Sequence, residues 1–298
     1  MKATACAIVS AAAVFAASAA LVAQDASKGA ALLAEARRAV GGEEKLRAIK
    51  TLDVRGDFKR SVGQTTIEGA LQIRLETPDK LRRDEDLSLP GGGPAVVRTE
   101  ALNGSAVWED ISGGGGAFVG RFGRGDRGGG GGALRDGGGA GGGRAALDPA
   151  QLEQAQRRAR QTELSRFMLA WLLNIDGNAT WIATAESPEG KADVLEITPA
   201  NGPVTRLFLD QGTHMPLMVT WQGAAPQLIV AGRGRGGRGG GAPREQATLQ
   251  MTLGNYKTVN GVKLPHLITR GVNDMTIEEW TIDSYRLNPS FKADVFTK

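Results

Sequence analysis

Cysteine is almost missing from this chain of 298 residues: only Cys6 is present, and it falls inside the first 23 residues, which read below as a segment removed on export. A chain that loses Cys6 has no disulfide framework, no thiolate metal site and no cysteine nucleophile, so packing has to supply its stability. Histidine is nearly as scarce. Only His214, in GTHMP, and His266, in KLPHL, occur, and no local cluster of Asp, Glu or His completes a ligand set around either. Both read as turn or strand-edge residues, and no metal or other cofactor is expected. The chain also lacks a G-x-S-x-G elbow, the clearest signature of one class of serine hydrolase. Asp84, Glu85 and Asp86 lie amid Arg82 and Arg83 on a strand-like stretch and read as a solvated charged face rather than an acid–base pair. No catalytic site stands out, so the expectation is that the protein is not an enzyme.

Acidic surplus is lacking too: the net charge is +4 and the sequence pI near 9.3. Its location removes most of its meaning. Residues 113 to 144 and 231 to 244 hold nine Arg against two Asp, so the remainder of the chain is slightly acidic and carries no nucleic-acid footprint. The first 23 residues, MKATACAIVSAAAVFAASAALVA, place one Lys before an uncharged Ala-rich run that ends in small residues. That is the order of a secretory signal peptide. Alanine drives membrane insertion weakly and no basic stop-transfer cluster follows, so a retained anchor is the lesser reading. Residues 24–298 are expected to form a single domain, interrupted by low-complexity loops at 112–147 and 231–244.

From Ala26 to Ile49 the pattern is helical, with Leu32, Leu33, Ala36 and Val40 on one face and Gly41-Gly42 as a break. After Thr51 the period becomes two. Leu52, Val54 and Phe58 alternate with charged residues, as do Ile67, Leu71, Ile73 and Leu75, which describes antiparallel strands with one dry face. Asn103-Gly104, Asn201-Gly202 and Asn260-Gly261 each divide two such runs and supply the positive φ values of tight hairpins. The count comes to roughly ten to twelve strands. One long helix interrupts them. Asp148-Pro149 with Gln151 forms its start signal, Asp176-Gly177 its stop near Asn174, and Leu164, Phe167, Met168, Trp171, Leu172 and Ile175 make an apolar stripe in its second half.

The two Gly/Arg segments sit in connections between these elements. They contain 25 of the 43 glycines and too few large apolar side chains to offset ordering, so no fixed structure is expected. Their two G-x-G-x-x-G matches, at Gly123, Gly125, Gly128 and at Gly232, Gly234, Gly237, lack the strand and helix that a dinucleotide site requires. Clustered Arg suits weak attraction to anionic headgroups or envelope polymer better than RNA, which an exported protein rarely meets. No nucleic-acid partner is expected. Of the five tryptophans, Trp108, Trp181, Trp221 and Trp280 fall in strand-like runs and Trp171 on the helix stripe, which suits either a filled core or an apolar cavity under a lid.

Several stretches, GGEEKLRAIKTLDVRGDF, NGSAVWED, LFLDQGTHMPLMVTW, NYKTVNGVKLPHLI and IEEWTIDSYRLNPSFKADVF, resemble the LolA/LolB-like family of periplasmic lipoprotein-sorting proteins. The Gly-rich insertions are not part of that family's pattern. The resemblance implies a mainly β (α+β) fold: an unclosed, strongly curved antiparallel β-barrel of about eleven strands with a helical lid, whose dry interior hides acyl methylenes from water at ~0.8 kcal/mol each. It implies a periplasmic carrier or binder of lipoprotein acyl chains or another hydrophobic ligand, without catalysis. Under that reading Leu164, Phe167, Met168 and Trp171 form the lid face, and Leu71, Ile73, Leu217, Val219, Trp221, Leu249 and Met251 line the sheet side. The alternative is a structural or interaction module of the envelope that holds anionic polymer, with transient membrane contact, through its Arg/Gly loops.

Overall fold

The computed structural model describes residues 9–62, 65–88, 95–113, 148–173, 178–188, 190–199, 203–224 and 246–298. Several expectations lie outside the described residues: Cys6, the Asn201-Gly202 turn, the helix stop at Asp176-Gly177, and all but the first two residues of the 112–147 segment together with the whole of 231–244.

Period-two alternation becomes one antiparallel sheet of twelve strands. They are β1 (Thr51–Val62), β2 (Thr65–Glu76), β3 (Lys80–Ser88), β4 (Val96–Asn103), β5 (Ala106–Gly113), β6 (Asn178–Ser187), β7 (Gly190–Thr198), β8 (Thr205–Asp210), β9 (Pro216–Ala224), β10 (Gln246–Val259), β11 (Val262–Val272) and β12 (Met275–Leu287). Their spatial order is β5-β4-β3-β2-β1-β12-β11-β10-β9-β8-β7-β6. Neighbours in sequence are neighbours in space, β1 pairs with β12, and the sheet is left open between β5 and β6. This is the antiparallel sheet expected from the alternation, and it is unclosed as the family resemblance implies. Ser112 and Gly113, expected as loop, instead finish β5 opposite Val97 and Val96.

The hairpin chemistry is visible at Asn260 and Gly261, whose φ values of 50° and 78° make the two-residue turn between β10 and β11. Such a turn needs positive φ at both positions, which Asn and Gly supply at least cost.

Among the described residues three helices accompany the sheet: α1 (Val9–Val40), α2 (Glu43–Ala48) and α3 (Pro149–Ala170). The α1 backbone is helical well before Ala26, the start expected from the pattern. No helix among the described residues is long and apolar enough to cross a membrane. α1 buries Leu32, Leu33, Ala36 and Val40, the face read from the sequence, and it lies along β6. Gly29 permits that contact, since a Cβ there would come within 2.5 Å of the Ala179 carbonyl oxygen.

The open seam dictates the course of α3. The chain leaves the sheet at one edge, β5, and rejoins it at the other, β6, so the connection has to cross from rim to rim. α3 makes that crossing over the inner face, touching β3, β4 and β5 on one side and β8 and β9 on the other. Its start follows the sequence signal: the Asp148 side chain accepts from the Ala150 N–H at 3.1 Å, ahead of Pro149 at the first helical position.

Its end comes earlier than Asn174. Leu172 takes a left-handed φ of 53°, the Leu173 N–H donates to the Met168 carbonyl at 2.7 Å and the Leu172 N–H to Leu169 at 3.0 Å. This is the Schellman pattern, with leucine where glycine is usual. The left-handed turn costs roughly 1–2 kcal/mol for a residue with a Cβ. Burial of Trp171, Leu172 and Leu173 in consecutive positions offsets it.

Candidate functional site

The inner face of the half-barrel is built from every second residue of its strands. Leu71 and Ile73 of β2, Val219 and Trp221 of β9 and Met251 of β10 are buried in the core, and Leu249 packs against it half-exposed. Above them α3 presents Leu164, Phe167, Met168 and Trp171, all buried. Phe167 stacks on Trp171 at 5.3 Å between ring centroids and lies 5.8 Å from Trp280, and Trp171 meets Tyr285 edge-on at 6.2 Å. The helix stripe thus reaches the floor of the sheet, since Trp280 belongs to β12 and has no solvent exposure. Full burial of Leu164, Phe167 and Met168 contributes roughly 1.5–3 kcal/mol apiece.

Leu217 departs from the expected set. It is 37% exposed. Met218 sits opposite Phe208 but Pro216 opposite Leu209, so Leu217 is the extra residue of a β-bulge. The bulge reverses the alternation, and Pro216 takes the buried place instead.

The tryptophans divide as well. Trp171, Trp221 and Trp280 are inside, whereas the Trp108 indole donates to the Phe296 carbonyl at 3.0 Å beneath the C-terminal segment, with Arg82 over its ring. Trp181 donates to Asp193 and carries Lys28 of α1 on its face. His214 sits in the β8–β9 turn near Glu35 of α1, as a turn residue should. His266 does not follow the expectation of an edge: it is buried on β11, its Nδ1 2.7 Å from the Ile282 carbonyl oxygen, its ring against Tyr285.

A second correction concerns charge. Arg83 and Glu85 were expected on a solvated face, yet they are buried between Leu81 and Leu87 on the inner side of β3, while Asp86 is exposed. The neighbouring strand matches them, with Glu100 opposite Arg83 and Arg98 opposite Glu85. Arg83 donates to Glu100 and to Glu163 of α3; Arg160 of α3 also donates to Glu100, and to Glu163 at 2.8 Å. From Glu85 the network continues through Arg60 of β1, 2.7 Å from Glu85 and 2.8 Å from Glu278 of β12, and ends at Arg270 of β11, 3.3 Å from Glu278. The Trp280 indole donates to the same Glu278 at 2.7 Å, which joins the ionic floor to the aromatic one.

Opposite charges at this spacing decide the protonation states. Burial by itself raises a carboxyl pKa, but Arg83 and Arg160 outweigh it and hold Glu163 down at about 2. Burial is likewise overcome at Glu85 by Arg83 and Arg60, and at Glu278 by Arg270 and Arg60, so both stay below the usual carboxylate range. All are ionised at neutral pH. The arrangement fixes α3 to the sheet by charge as well as by apolar contact.

Among solved structures, the chain is similar to a LolA superfamily protein from Nitrosomonas europaea, with 11% identity, a TM-score of 0.45 and coverage of 91% of this chain and 97% of that one. It is also similar to an outer membrane lipoprotein-sorting protein domain from Vibrio parahaemolyticus, with 12% identity, a TM-score of 0.42 and coverage of 91% and 97%. A DUF1329 family protein from Desulfovibrio piger gives 7% identity and a TM-score of 0.43 over 90% and 96% of the two chains. No family model and no curated protein matches the chain.

Proposed function

We propose that this protein is an exported, periplasmic binder of acyl chains or a similar hydrophobic ligand, with α3 as a displaceable cover and no chemistry of its own. One observation carries the reading: a single helix, suspended between the two edges of an open sheet, fills the inner face with the stripe Leu164, Phe167, Met168 and Trp171. A ligand enters by taking the place of that stripe. The exchange is close to balanced, because a twelve-carbon chain hides about 10 kcal/mol of methylene surface, comparable with the burial that the stripe gives up. Near-balance is what a carrier needs to load and unload. The ligand-lining set is Leu71, Ile73, Val219, Trp221, Leu249 and Met251 on the sheet. The Ala-rich N-terminus with its single Lys supports export.

Native mass spectrometry of gently purified protein, together with uptake of a fluorescent fatty acid, tests this. Bound lipid or saturable uptake is expected; repeated preparations with neither contradict it. The ionic network between α3 and the sheet favours a second reading, a solid-cored interaction module whose Arg/Gly segments hold anionic envelope polymer. Salt-sensitive polymer binding that disappears when residues 113 to 144 and 231 to 242 are deleted would support that module instead.

A further inference from the structure

Among the described residues the inner-face charges nearly cancel, and one that does not lies over Trp221 of β9. Arg60, Arg83, Arg98, Arg160 and Arg270 each make an ion pair with Glu85, Glu100, Glu109, Glu163 or Glu278. Arg166, one residue before Phe167 on α3, is the sixth arginine of this region and has no carboxylate partner among the described residues. Its guanidinium carbon instead lies 4.1 Å above the Trp221 ring. Its Nε and the Trp221 Nε1 are both buried, and neither has a hydrogen-bond partner among the described residues. Two unmatched donors therefore converge where α3 meets β9, at the end of the cluster that Phe167, Trp171 and Trp221 share.

We infer that Arg166 and the Trp221 indole form an anionic-headgroup subsite, so that the hydrophobic ligand is an acidic amphiphile whose carboxylate or phosphate rests on them while its chain replaces the α3 stripe. This rests on the reading of the protein as a hydrophobic-ligand binder. A planar guanidinium with free N–H groups suits a two-oxygen anion, and stacking on an indole face holds it in one orientation before the ligand arrives. Burial lowers Arg166 to about 10, with Glu163 opposing and Arg270 adding to the fall. The side chain is thus charged at neutral pH and short of counter-charge.

The test compares three probes of equal chain length, dodecanol, dodecanoate and dodecyl phosphate, by displacement of a fluorescent fatty acid from the full-length protein and from Arg166→Gln and Arg166→Lys. Both anions are expected to bind the native protein at least about tenfold more tightly than the alcohol, in line with a charge-assisted pair. Arg166→Gln should remove that preference and leave dodecanol binding within about twofold, and Arg166→Lys should keep part of it. The ratio of dodecanoate to dodecyl phosphate tells carboxylate from phosphate. Equal binding of alcohol and anions to the native protein overturns the headgroup subsite and leaves the carrier reading standing, as does an equal loss for all three probes in Arg166→Gln. Failure of every probe to bind the native protein overturns the carrier reading and the subsite with it.

Discussion

Arg83 of β3 and Glu163 of α3, eighty positions apart in the chain, are hydrogen-bonded across the inside of the half-barrel. Their contact is the point at which the cover helix is tied to the floor of the sheet. It lies between two differently built regions: the aromatic stripe on one side and the chain of Arg–Glu pairs from Arg98 to Arg270 on the other.

Breaking this tie from one side strands charge. Arg83→Met removes one partner each from Glu85, Glu100 and Glu163, and although Arg60, Arg98 and Arg160 remain beside them, it leaves the network one buried positive charge short and should cost about 3–5 kcal/mol in urea unfolding. Adding Glu163→Gln to that variant should recover part of the loss. Strict additivity of the two single effects would mean that the pair is not coupled.

Acid should weaken the same contact. Glu163, Glu85 and Glu278 have folded pKa values held below their ordinary 4.5, that of Glu163 at about 2. Their contribution to stability is complete above about pH 4.5 and is lost as the pH falls toward about 2, because protonation then has to break the pairs. Melting temperature should therefore drop between about pH 5 and about pH 3 in the native protein, and by less in Glu163→Gln. A flat profile in the native protein would contradict the network.

Truncating the stripe separates stability from binding. Phe167→Ala should destabilise by about 3–5 kcal/mol through lost transfer energy and an unfilled hole beside Trp171 and Trp280. If α3 occupies the ligand's place, the same variant should take up a fluorescent fatty acid more tightly than the native protein. Weaker uptake would show that Phe167 contacts the ligand instead of competing with it.

The β9 bulge makes a sharper local comparison. Val219→Ala, in the core, should cost about 1–3 kcal/mol by loss of buried apolar surface, whereas Leu217→Ala should stay within about 0.5 kcal/mol by thermal melting.

The antiparallel sheet and the apolar helix over it were legible in the sequence because they rest on periodicity and turn chemistry, whereas the open form of the sheet came only as what the family resemblance implies. The stripe from Leu164 to Trp171 repeats at helical spacing, and Asn260-Gly261 has one economical conformation. Leu217 was misread because a bulge adds one residue without altering composition, and only pairing with Phe208 and Leu209 exposes it. The ionic network was missed for a different reason. Equating charge with solvent hides that Leu81, Arg83, Glu85 and Leu87 share one parity on β3, as Val96, Arg98, Glu100 and Leu102 do on β4. Opposite charges set between apolar residues of like parity on adjacent strands were the available signal. Arg166 left none, since its lack of a counter-charge depends on which side chains the fold brings near it.

The central claim is that α3 leaves the sheet when ligand binds. Spin labels at Ser165→Cys on α3 and Thr252→Cys on β10, both exposed positions, in a chain carrying Cys6→Ser, report that separation by pulsed electron paramagnetic resonance. Saturating dodecanoate should lengthen or broaden the distance by about 5 Å or more, roughly one helical turn of displacement. An unchanged distance with dodecanoate demonstrably bound would contradict the account.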